Sequence, residues 1–144
     1  MGIKTKKKKK KISKDPYYNR KIQDSGRRQK FETGAQRDVQ EGKGRYDLFP
    51  PSAIFSIARV FEEGATKYKE RNFEQGMPLS RFIDSALRHI FKHLEGQRDE
   101  PHMAQAGWNI MVYIYTATMI ERGLLPEELN DLPNHMSKEK ASVL

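Results

Sequence analysis

"DEPHMAQAGWNIMVYIYTATMIER", residues 99–122, decides the fold. Met103, Ala104, Ala106, Trp108, Ile110, Met111, Val112, Ile114, Tyr115, Met119 and Ile120 leave it almost no polar flank. A run this long and this apolar reads as a central helix, packed on most sides. Asp99 suits an N-cap, Pro101 suits the first turn, and Gly123 with Pro126 ends the helix. The exceptions carry the functional question. At about 100° per residue, His102, Gln105, Asn109, Tyr113 and Thr116 project within roughly 80° of one another. Burying a polar group without a partner costs about 1–3 kcal/mol, so this stripe predicts partners. Three outcomes fit: a satisfied network between helices, a polar seam between subunits, or the floor of a ligand site.

Two shorter helices precede it. Residues 52–68 place Ile54, Ile57, Ala58, Phe61, Ala65 and Tyr68 at helical spacing, entered through Pro51. Residues 79–94 place Leu79, Phe82, Ile83, Ala86, Leu87, Ile90 and Leu94 on one stripe, with Ser80 as the expected N-cap. His89 and His93 lie along the edge of that stripe. Gly76 with Pro78, and then Gly96, break the chain between helices. The short link predicts antiparallel packing of the last two helices, which brings His89, His93, Glu95, Asp99 and His102 towards one another. The fold class is therefore all-α: a small bundle of three main helices whose thin core predicts completion by oligomerisation, through the first or third helix.

The chain has 144 residues and a net charge of +8, but the charge is unevenly placed. Residues 1–30 carry 13 Lys/Arg against 2 Asp/Glu, a net +11, and the remainder is −3. A lysine run such as "KTKKKKKKISK" cannot bury a core, so residues 1–30 read as a disordered basic tail. It is either a solubilising segment or a non-specific tether to nucleic acid, with Tyr17 and Tyr18 available for stacking. Residues 31–123 then form the helical domain, and residues 124–144 a polar tail with one short turn. Residues 31–51 are punctuated by Gly34, Gly42, Gly44 and Pro50–Pro51, and read as a long loop carrying Arg37, Lys43 and Arg45. The absence of cysteine excludes disulfides and thiolate metal sites and suits a reducing compartment. No apolar run approaches the roughly 20 residues of a membrane span, so a soluble, intracellular protein is expected.

No GxxxxGK[ST], GxSxG or HExxH occurs, which removes P-loop, elbow-serine and zincin chemistry. No adjacent His-Asp pair supports the HD class of phosphohydrolases. What remains is a histidine–carboxylate cluster beside cations at Lys67, Arg71 and Arg88. Carboxylates suit Mg²⁺, and imidazoles suit Mn²⁺, Co²⁺ or Zn²⁺. Metal-assisted hydrolysis of a phosphoanhydride fits that set.

In order and spacing, "GKGRYDLFPP", "EGATKYKERNF", "SALRHIFKHLEG" and "DEPHMAQAGWN" resemble the phage dATP/dGTP diphosphohydrolase family over about residues 32–115. More distantly the chain is similar to MazG-like all-α pyrophosphohydrolases, although their ExxE pair does not occur here. The resemblance implies cleavage of purine deoxynucleoside triphosphates to monophosphate and pyrophosphate. It implies Mg²⁺ or Mn²⁺, a homo-oligomer, and a phage-encoded protein acting on the nucleotide pool in the host cytoplasm. On this reading His89, Asp99 and His102 are catalytic, and Lys43, Arg45, Lys67, Tyr68, Asn72 and Asn109 bind substrate. Glu62, Glu63 and Asp99 hold the metal. The alternative is a non-enzymatic phage accessory or virion protein, tethered to nucleic acid by its lysine-rich tail.

Overall fold

The computed structural model describes residues 23–135. The chain divides into two compact units, the first ending at Asp47 and the second beginning at Leu48. In the first, β1 (Arg28–Lys30) pairs antiparallel with β2 (Gln36–Asp38), Gln29 opposite Arg37. Residues 28–30 were expected within the basic tail and 36–38 within a loop. Gly34, at φ 86°, makes the turn that lets the two segments pair. Arg28, bonded to both Asp24 and Asp38, ties the hairpin to its flank. Charge pairing and a turn residue make this element, with no apolar alternation to advertise it. Residues 1–22 of the expected tail lie outside the described residues.

The second unit holds three helices: α1 (Pro51–Lys67), α2 (Leu79–Leu94) and α3 (His102–Glu121). The three-helix, all-α expectation is met. α3 packs on α2 along most of its length and on α1 over a shorter stretch. Gly107 permits the α1 crossing, since a Cβ there would stand 3.1 Å from the Cδ1 of Ile57. The core is Leu79, Phe82 and Val112, ringed by Phe61, Phe73, Met77, Trp108, Tyr113 and Leu132. Burying each of the large apolar side chains stabilises by about 1.5–3 kcal/mol. Phe61 sits edge-on to Phe73 and Trp108 at centroid distances of 5.5 and 5.8 Å, fixing α1 over α3.

Two expected caps are made differently. Pro78, not Ser80, occupies the N-cap of α2, and Ser80 gives its backbone N–H and hydroxyl to Asp131. Pro101, not Asp99 and not within the first turn, occupies the N-cap of α3, and Asp99 is engaged with His102 instead. The segment after Gly123, expected as a polar tail, contains a 3-10 turn at Glu127–Leu129. Leu125 and Leu129 close over Gly76, and Leu132 reaches the core.

The burial pattern also departs from expectation. α2 buries Leu79, Phe82, Ala86 and His89, whereas Ile83, Leu87 and Leu94 are exposed. α3 exposes Met103, Ile110, Met111 and Ile114, and α1 fully buries no residue within the described residues. Two neighbours cannot cover a helix that is apolar all round. None of the described helices is long and apolar enough to cross a membrane.

Candidate functional site

The polar stripe of α3 faces inward. His102, Asn109 and Thr116 are buried there, with Gln105 and Tyr113 half-buried. Antiparallel packing sets His89 of α2 against His102, Nδ1 to Nδ1 at 3.0 Å. The Nε2 of His102 lies 3.0 Å from an Asp99 carboxylate oxygen, and Glu100 approaches its Nδ1 at 3.7 Å. One ligand atom each from His89, Glu100 and His102 falls within 4.8 Å of the others, a set able to hold a metal ion.

Hydrogen-bond logic assigns the protons. The bond from His102 holds the Asp99 carboxyl below its usual range, so the proton between them resides on Nε2 of His102. With a neutral His102 its Nδ1 is bare and accepts from the N–H at Nδ1 of His89. Burial, followed by the nearby charge of Arg88, pushes His89 below the ordinary imidazole value, which favours its neutral form.

His89 and Glu100 of the cluster line a cleft of about 970 Å³ formed by α1, the α1–α2 connector, α2 and α3, whereas His102 and Asp99 do not line it. Glu62, Glu63, Lys67, Tyr68, Asn72, His89 and Asn109 of the expected set all line it. Glu62 and Glu63 are exposed on the α1 wall and do not join the histidine cluster. Lys67 stands over the Tyr68 ring at 5.3 Å, and Asn72 accepts a hydrogen bond from Gln75. Asn109 donates its Nδ2 to the Gln105 carbonyl one turn back, leaving Oδ1 as its acceptor. Lys43 and Arg45 belong to the first unit, where Lys43 lies 4.0 Å from Asp38 and Arg45 holds Asp47 with two bonds. Through that pairing Arg45 rises and Asp47 falls from their ordinary values.

Glu100, Arg81 and Ser85 also belong to the site, and none was singled out in the sequence. Glu100 follows Asp99 directly, so the turn into α3 decides which carboxylate faces Nδ1 and which faces Nε2. Arg81, Ser85 and Arg88 recur at helical spacing along the α2 wall, a signal that could have found them. His93 and Glu95 were expected to converge with the cluster. His93 shares a second, smaller pocket with Glu100 and His102, whereas Glu95 accepts from Gln97. The Nε1 of Trp108, which lines the cleft, is buried without a hydrogen-bond partner among the described residues, as is Thr116 Oγ1.

The all-α unit thus sets a histidine–carboxylate group able to hold a metal ion beside a cation-lined cleft. The family model of the dATP/dGTP diphosphohydrolase N-terminal domain matches residues 33–123, and the chain belongs to that family. No curated protein and no solved structure matches it significantly.

Proposed function

We propose that this protein hydrolyses dATP and dGTP to the deoxynucleoside monophosphate and pyrophosphate with the help of a divalent ion. The observation that carries the reading is one cleft in which His89 and Glu100, two members of the possible metal-holding set, stand beside Lys67, Lys69, Arg71, Arg81 and Arg88. Its size matches the roughly 300–1,000 Å³ of small-molecule sites. The two facing imidazoles and Glu100 would hold the ion. Bound there, a divalent ion would supply an acidified water and offset charge on the phosphates.

The remaining work falls to the chain. Lys67, Arg81 and Arg88 grip the phosphates, and Ser85 donates between the two arginines. Asn72 and Tyr68 border the connector end, and Asn109 presents Oδ1 to a base or a water. Glu62 and Glu63 add oxygen donors from the α1 wall, and Asp99 holds His102 in one tautomer. Lys43 and Arg45 of the first unit match the family's motif and are read as substrate-binding by that kinship alone. The exposed Ile83, Leu87, Leu94, Met103, Ile110 and Ile114 support a homo-oligomer. Kinship adds a phage source and the host cytoplasm as the place of action.

A product-resolved screen of the eight common nucleoside triphosphates, with and without Mg²⁺ or Mn²⁺, tests this. Ion-dependent release of pyrophosphate from dATP or dGTP is expected. The lysine-rich tail is read as a separate tether to nucleic acid. Deleting residues 1–22, which spares β1, should abolish DNA retention and leave hydrolysis unchanged.

A further inference from the structure

Mg²⁺ is the wrong ion for this donor set. It demands oxygen ligands, usually carboxylates, phosphates and waters, and binds imidazole poorly. The cluster offers two nitrogens and one carboxylate, and the nitrogens are on buried side chains: His102 is 2 % exposed and His89 7 %. Their spacing is compatible with one shared ion, which would replace the N–H···N hydrogen bond of the same length. Two donors each about 2.1 Å from one ion stand about 3.0 Å apart in cis-octahedral geometry and about 3.4 Å apart in a tetrahedron. The two Nδ1 atoms stand 3.0 Å apart.

We propose that His89, His102 and Glu100 form a site for a divalent transition metal, Mn²⁺, Co²⁺ or Zn²⁺, with Asp99 as the positioning residue that orients His102. This deepens the function proposed above and rests on it only for what the ion is used for. Asp99 holds the N–H at Nε2 of His102 from outside the cluster, which turns the bare Nδ1 inward. Metal-binding histidines usually have such a carboxylate or carbonyl behind them. His89 needs only to carry its proton on Nε2 for its own Nδ1 lone pair to meet the same ion, with no change in total charge. Glu100, half-exposed, supplies the third ligand and the neutralising charge. His89 and Glu100 also line the cleft, from which water and a phosphate oxygen would complete the coordination.

The test uses untagged full-length protein and Co²⁺ as a spectroscopic probe, monitored by visible absorption and calorimetry. One Co²⁺ per chain is expected, displaced by Zn²⁺ or Mn²⁺ but not by millimolar Mg²⁺. His89→Gln, His102→Gln and Glu100→Gln should each lose the visible band or weaken binding at least tenfold. Asp99→Asn should weaken it about 10–100-fold, with Asp99→Glu restoring part of the loss. Circular dichroism identifies any variant that fails to fold. Glu100→Gln, at a half-exposed position, is the variant to read if the histidine changes unfold the protein. Wild-type affinity in folded Glu100→Gln, or equal competition by Mg²⁺, overturns the proposal. Chain that binds Co²⁺ as described yet releases no pyrophosphate from dGTP supports the site and removes the hydrolase reading. Chain that hydrolyses dGTP while the folded variants bind Co²⁺ normally removes the site and keeps the reading.

Discussion

His89 and His102, thirteen residues apart, meet Nδ1 to Nδ1 at 3.0 Å between two antiparallel helices, and Asp99 secures the far nitrogen of His102. The contact joins fold to function. It satisfies polar atoms buried between α2 and α3, and it brings two imidazole nitrogens together near Glu100.

Replacing His102 should therefore damage both. His102→Ala leaves the buried His89 without its partner, at about 1–3 kcal/mol. Hydrolysis of dGTP should fall at least about 100-fold. Thermal melting and initial rates check the two effects; full activity in a folded variant would contradict the role.

Substrate grip should separate from stability along α2. Arg81 and Arg88 line the cleft from exposed positions, so Arg81→Ala and Arg88→Ala should leave the melting temperature unchanged. Each should raise KM for dGTP about tenfold, with less effect on kcat, because a lost phosphate contact weakens ground and transition states alike.

Asp131 caps α2 from a distant part of the chain. Its carboxylate accepts from the Ser80 backbone and hydroxyl, and these bonds hold it below the ordinary value of 3.8. A depressed folded value stabilises above the unfolded one and ceases to do so as pH falls through the folded one. Asp131→Asn should melt lower than the parent at pH 7, and the gap should close as pH falls below 3.8. Melting curves across that range check the sign.

Gly76 is doubly constrained. It sits at φ 86°, and a Cβ would lie 2.8 Å from the Cδ1 of Leu129. Gly96, at φ 94°, has nothing within 4 Å of the same position. Gly96→Ala should cost about 1–2 kcal/mol from backbone conformation alone. Gly76→Ala should cost about 1 kcal/mol more, since Leu129 must also move. Equal losses in urea unfolding would show that this contact contributes nothing.

Helix positions were legible because 3.6-residue periodicity is a local signal. α2 runs over the expected residues, and α1 differs by one residue at each end. The inward stripe of α3 was legible for the same reason. Which apolar residues stay exposed was not, because Ile83, Leu87 and Ile114 are as apolar as their buried neighbours. Exposure depends on how many helices surround them. The choice between Asp99 and Glu100 was hidden too, since it turns on the backbone path through Pro101. Asp131 and Ser80 are 51 residues apart, and nothing local announces their pairing.

The central claim is a hydrolytic cut between the α and β phosphates at this cleft. ³¹P NMR of dGTP turned over by purified protein with Mn²⁺ tests it most directly. The account predicts equal growth of dGMP and pyrophosphate, abolished by chelation and in Glu100→Gln. Inorganic phosphate with dGDP, or an unchanged dGTP spectrum, would contradict it.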